Sequence, residues 1–247
     1  MCTAVVLFRP GHDWPVLLGA NRDEMVARPW DRPGAYWPDH PGVVAGRDRS
    51  GGGTWMGMNA AGVVAAVLNR PGSLGPAPGK RSRGALPLLA LGHDTAADAA
   101  AALADIPAGE YRSFNMIVAD SRSVVFVRGL DGERAEPIPL PAGLHMVTAH
   151  DPNDEASPRT ARHLPRFRAA AVPAPAIGDW RAWTALLADR GGPQGSEINV
   201  PERHGFATVS SALVGLPACG RPVWLFAAGP PDAAPFVPVQ LAAREGV

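Results

Sequence analysis

"MCTAVVLFRPGHDWPVLLGANRDEMVARP", residues 1–29, is the stretch on which the reading of the fold turns. Two apolar runs, "CTAVVLF" and "VLLGA", flank the Pro/Gly-rich "RPGHDWP", which predicts two antiparallel strands, the first beginning at the N-terminus itself. The second run then delivers Asn21, Arg22, Asp23 and Glu24 without interruption. Such a tetrad is either a solvated turn with a local ion pair or part of a site. Counting outward from a loop centred near His12 sets Cys2 opposite position 22. A cationic Arg22 there favours the thiolate. Cys2 directly follows the initiator methionine, so removal of Met1 would leave an α-amine on the residue that bears the thiol. That amine titrates near roughly 7.7–8.0 and can take the thiol proton at neutral pH, with Asp23 accepting from it. The plainer reading of Cys2 is a small buried hydrophobe. The hairpin favours the nucleophile, because it gathers a thiol, a cation and a carboxylate.

Composition bounds the function. The 247 residues are 46% hydrophobic, with 23 basic and 23 acidic side chains, enough to bury a sizeable core. A balanced charge offers no electrostatic reason to bind nucleic acid. No apolar stretch approaches the roughly eighteen residues of a membrane span. The opening has no basic segment, and its apolar run stops at Arg9-Pro10, so the expected location is the cytoplasm. Cys2 and Cys219 are the two cysteines and share no metal-type spacing. No metal or other cofactor is expected, and the partner is a small-molecule substrate or ligand.

Beyond the hairpin, "TWMGMN" and "VVAAVLN" read as strands around Ala60-Ala61-Gly62. "RGALPLLALG" and "TAADAAAALADI" read as helices, the second capped by Asp94. "FNMIVAD" and "SVVFVRG" form another strand pair, and "LHMVTA" one more strand. "SPRTARHLPRFRAAA" begins a helix with Ser157 as cap and Pro158 at its first position, and "DWRAWTALLADRGG" another with Asp179 as cap. "GFATVSSAL" and "RPVWLFAAG" return to strands. This order predicts α+β with antiparallel sheets, in one domain over 1–247. The glycine run "GRDRSGGGTWMG" is not a phosphate loop, since no Gly-Lys-Ser/Thr follows and Thr54 starts a strand. His145 and His150, five apart, fall on opposite faces of a strand and do not suggest a metal pair.

These residues resemble a known family. "MCTAVVLF", "GANRDEMVARP", "YWPDHPGVVAGRDRSGGGTWMGMNAAGVVAAVLN", "RSRGAL" and "FNMIVAD" look like the NRDE family, the transport and Golgi organisation proteins, densely over about residues 1–127. The namesake tetrad is Asn21–Glu24, and "GGTW" and Ser82-Arg83-Gly84 are further marks. More distantly, the start is similar to the cysteine N-terminal-nucleophile hydrolases, the penicillin V acylases and conjugated bile-acid hydrolases. That resemblance implies a four-layer αββα sandwich with two mainly antiparallel sheets. It implies Cys2, Asn21, Arg22, Asp23 and Asn115 as catalytic residues, and Glu24, Trp55, Arg83 and His150 as substrate-binding ones. The implied function is an amidohydrolase or acyltransferase on a small amide or thioester. The alternative within the family is a carrier without turnover, for haem or an acyl-CoA-type lipid.

Two positions depart from the pattern. Where the hydrolases carry an oxyanion-binding asparagine, "MVTAHDPN" has Ala149. Where a late arginine belongs, "FATVSSA" has Val209. Loss of one oxyanion donor typically costs about 2.7–4 kcal/mol of transition-state stabilisation. His150, Asn115 and backbone N–H groups are left to fill the role.

Overall fold

The structure is a computed structural model and describes residues 2–132 and 134–242. In chain order, the first strands are β1 (Thr3–Phe8), β2 (Val16–Met25), β3 (Trp30–Gly34), β4 (Val44–Asp48), β5 (Met56–Met58) and β6 (Val64–Asn69). Helices α1 (Ala85–Leu91) and α2 (Ala96–Ala104) follow, then β7 (Phe114–Ala119), β8 (Val124–Gly129), β9 (Glu136–Pro139) and β10 (Gly143–Val147). The rest comprises α3 (Pro158–Ala169), α4 (Arg181–Leu187), β11 (Phe206–Leu216), β12 (Val223–Ala227) and β13 (Phe236–Pro238). The class is α+β, with two antiparallel sheets as the element order predicts.

The chain divides into two compact units. One comprises Met1–Ala27 with Ala142–Pro238, the other Arg28–Pro141 with Val239–Val247. The first holds a six-stranded sheet in the order β10-β1-β2-β11-β12-β13. Alternation along its strands sends Val5, Leu17, Met146 and Leu213 to one face, where Leu164, Phe167, Trp183 and Leu187 of α3 and α4 cover them. Gly19 leaves room for the helix there: a Cβ on it would stand 3.1 Å from the Trp183 ring. Phe167 meets the same ring edge-on at 5.5 Å.

The second unit is a seven-stranded meander, β3 to β9 in sequence order, with the apolar faces of α1 and α2 on it. Its glycine-rich segment is a packing device. A Cβ on Gly53 would lie 2.4 Å from the Gly84 backbone, and Thr54 N–H donates to Gly84 O at 2.9 Å. The sequence marks "GGTW" and "SRG" therefore describe one backbone contact.

Several local expectations need correction. The strand holding Leu17 and Leu18 does not stop before the tetrad but runs to Met25, so Asn21–Glu24 lie within β2. Thr95, not Asp94, caps α2, its hydroxyl accepting from Asp98 N–H at 3.1 Å. Asp179 accepts from Arg181 N–H, while Trp180 occupies the cap position of α4. Ser157 caps α3 as expected. No helix among the described residues is long and apolar enough to cross a membrane.

Candidate active site

The first hairpin pairs Thr3 with Asn21 and Ala4 with Ala20. Continued by one residue, that register sets Cys2 opposite Arg22, as the count from the turn predicts. Directly opposed side chains share a face, so Cys2 and Arg22 lie together on the reverse of the helix-covered face. Cys2 is half-buried, and its thiol donates to the Asp23 carbonyl at 3.9 Å. Burial pushes the thiol pKa up, while the bond to the Asp23 carbonyl and the Arg22 charge pull against that. Arg22 is 6% exposed and has Glu24, two residues along the same face, 3.9 Å away. Glu24 also accepts from Met25 N–H at 2.8 Å.

Asn21 and Asp23 point the other way. Asn21 Nδ2 donates to Leu187 O and Ile198 O, both at 2.9 Å, and its Oδ1 accepts from Ser211 Oγ at 2.7 Å. These bonds staple β2 to the end of α4 and to the segment after it. Asp23 accepts from Thr208 Oγ1 at 2.6 Å and from Arg159 Nη1 at 2.8 Å. The tetrad thus splits between two faces instead of forming one floor around Cys2. The Asp23 backbone carbonyl receives the thiol, while its carboxylate anchors the far side. The bond expected between that carboxylate and the α-amine depends on Met1, which lies outside the described residues.

The two departures from the family pattern lie on either side of this point. Val209 is the extra residue of a bulge in β11, between Thr208 opposite Asp23 and Ser210 opposite Arg22. Ala149 follows β10, which pairs Val147 with Ala4, so the continued register sets Ala149 against Cys2 from the other side. Ala149 is buried and has no side-chain amide to offer. His150 comes next, its Nδ1 3.5 Å from Asp154 Oδ2.

The remaining sequence-selected residues belong to the second unit. Asn115 on β7 is fully buried, its Oδ1 accepting from Arg70 Nη1 at 2.6 Å. Arg83 Nη1 donates to Ser73 Oγ at 2.9 Å and to Ser113 O at 3.1 Å. Trp55 stands edge-on to Trp30 with centroids 5.6 Å apart, over Gly46, where a Cβ would come within 2.4 Å of the ring. Sequence reasoning missed Arg159 and Thr208, the partners of Asp23. The one signal for Arg159 was a cation in the first turn of a helix.

With this geometry in place, comparison with known proteins adds the lineage. A family model described as Transport and Golgi organisation 2 matches residues 1–171. The Transport and Golgi organization protein 2 homolog of Bos taurus is 32% identical over 161 residues, 60% of this chain. The match spans 56% of that protein's length. Among solved structures, the Caenorhabditis elegans N-acylethanolamine-hydrolyzing acid amidase ortholog aligns with a TM-score of 0.59 at 14% identity, over 86% of this chain and 92% of its own. A mutant conjugated bile acid hydrolase from Clostridium perfringens gives 0.53 at 12%, over 98% and 97%. Penicillin V acylase from Agrobacterium tumefaciens gives 0.53 at 17%, over 92% and 83%. At these identities the likeness establishes the fold, that of the N-terminal-nucleophile hydrolases.

Proposed function

We propose, for a chain that belongs to the Transport and Golgi organisation 2 family and has the fold of the N-terminal-nucleophile hydrolases, that Cys2 is the nucleophile of a cytoplasmic amidohydrolase or acyltransferase. Residues 1–247 are read as one domain for this purpose, and the substrate as a small amide or thioester. The observation that supports the reading is the opposition of Cys2 and Arg22 on one sheet face, with the thiol seated on the Asp23 carbonyl.

In the proposed reaction, removal of Met1 frees the Cys2 α-amine. The amine takes the thiol proton, and Sγ adds to the substrate carbonyl carbon while its π electrons move to oxygen. Arg22 offsets the developing thiolate charge. Backbone N–H groups beside Ala149 would receive the oxyanion, in place of the missing side-chain amide. Collapse restores the carbonyl and breaks the bond to the leaving nitrogen or sulfur, which departs with the proton held by the α-amine. Water, or a second acceptor in a transferase, gives a proton to the amine and attacks the Cys2 thioester. The acyl group leaves, and the thiol regains its proton. Asn21 and Asp23 hold β2 in register throughout.

A second reading is favoured by one observation: Ala149 stands where a donor amide was expected, beside a thiol whose ionisation burial disfavours. A carrier for haem or an acyl-CoA-type lipid needs a pocket but no oxyanion site. The test is the intact mass of untagged protein before and after brief exposure to iodoacetamide. Loss of the methionine mass with fast single labelling at Cys2, abolished in Cys2→Ala, supports the enzyme. A retained methionine, or Cys2 no faster than Cys219, rejects it in favour of the carrier.

A further inference from the structure

Helix α3 opens with a residue that its position disfavours. Arg159 stands in the first turn behind Ser157 and Pro158, with no acid beside it in that turn. Unpaired N–H groups and the helix dipole make this a place for anions. Arg159 is also 4% exposed, and arginine is rarely so buried without a charge partner. Nη1 meets that demand by donating to Asp23 Oδ2 at 2.8 Å and to Thr3 Oγ1 at 2.7 Å.

Those two acceptors bracket Cys2. Thr3 follows it in the chain, and the Asp23 carbonyl takes its thiol. Thr208 holds the other carboxylate oxygen of Asp23. A residue 136 positions away from Asp23 therefore clamps the start of β1 to β2, from the face opposite the thiol. Replacing a buried ion pair by apolar side chains is often neutral or stabilising. A charge placed where the helix dipole disfavours it is a departure of the kind that gathers at functional sites.

We propose that Arg159 is a positioning residue for Cys2: bridging Thr3 and Asp23, it fixes the backbone that seats the thiol and cancels the carboxylate charge behind it. The inference rests on Cys2 being the reactive group. Among the described residues, the charged and titratable side chains around Cys2 are Arg22 and Glu24 on its own face, Asp23 and Arg159 on the reverse, and His150 on the segment that continues β10. Of these, Asp23 opposes thiolate formation and Arg22 assists it. Arg159 acts on the first.

The test is the pH dependence of Cys2 alkylation by iodoacetamide on the full chain, read by mass spectrometry with Cys219 as internal reference. Arg159→Met is expected to lower the Cys2 rate near neutral pH about tenfold and to raise the profile midpoint by about one pH unit, as for a thiol facing a nearby carboxylate that has lost its counter-charge. Arg159→Lys keeps a cation and is expected to recover the midpoint. Asp23→Asn combined with Arg159→Met is also expected to recover it, because no charge is left to cancel. A midpoint unmoved in Arg159→Met, or as far displaced in Arg159→Lys, overturns the proposal. If Arg159→Met does not fold by circular dichroism, Arg159→Lys decides: a midpoint at the wild-type value supports the role, and one a unit higher rejects it. Wild-type Cys2 reacting no faster than Cys219 would instead reject the nucleophile, while the midpoints still report on Arg159.

Discussion

The two sheets handle buried polarity in different ways. In the seven-stranded unit, the buried polar residues Thr54, Ser73 and Asp120 sit at strand ends and turns, while Asn115 lies within β7. Thr54, Ser73 and Asp120 are satisfied largely within a few residues: Asp120 accepts from Arg122 and Ser123 N–H, and Ser73 closes the turn at Arg70. In the six-stranded unit, Thr3, Asn21, Arg22, Asp23, Thr208, Ser210 and Ser211 are buried across three adjacent strands. Their partners come from far along the chain, such as Arg159 for Asp23 and Leu187 for Asn21. A polar group at a turn is explained by the turn. A polar network in the middle of a sheet departs from the pattern of an apolar core, and such departures gather where function requires them.

Substitution can break or sharpen this contrast. The largest expected effect is Asp23→Ala, which strips a buried arginine of its counter-charge and should cost about 3–5 kcal/mol. Asn115→Ala, with half-buried Arg70 as the bereaved partner, should cost about 1–3 kcal/mol. Equal losses in urea unfolding would erase the difference between the sheets. Next comes a pH effect confined to the first unit. His163 is fully buried, with Nε2–H donating to Ser196 O at 2.9 Å and Nδ1 accepting from Arg166. Burial lowers its pKa from 6.5 to about 4. The unfolded chain therefore binds this proton first as pH falls, so the stability is whole above about 6.5 and lost progressively down to about 4. His163→Gln should flatten the stability profile in that window, measured by denaturation at a series of pH values. Gly19→Val drives a branched side chain against Trp183 and should cost about 1–3 kcal/mol, with a shift in tryptophan emission. The smallest effect is Thr95→Ala in the second unit, about 1 kcal/mol from the lost cap of α2, read as a lowered Tm.

The same contrast explains what was legible in the residues. Local signals gave the hairpin, the Ser157 cap, the α1–α2 pair and the opposition of Cys2 and Arg22, because a short loop sets register by counting. β4, "VAGRD", escaped notice at the start of the glycine-rich segment. So did β3, β9 and β13, "WDRPG", "EPIP" and "FVP". Each contains proline, which argues against a strand in general but is tolerated at a sheet edge, and each lies at an edge. In the site, a period of two already separates Arg22 from Asn21 and Asp23. Reading the tetrad as one cluster overlooked that alternation. Arg159 was legible only as a cation in the first turn of a helix; nothing local ties the start of that helix to a strand so distant in sequence.

The discontinuity of the first unit has a consequence for its synthesis. Ser211, whose hydroxyl closes on Asn21, lies 190 positions after it. At ribosomal rates of about 5–20 residues per second, roughly 10–40 s separate the emergence of β2 from that of its neighbour β11. During that interval the apolar edge of β2 has no partner on one side, a hazard for association between nascent chains. The thiol at the front of the chain also waits for residues near the far end before its seat is complete. Any fragment ending before Phe206 would carry Cys2 and the tetrad without the strand that pairs with β2, and with an open strand edge in its place.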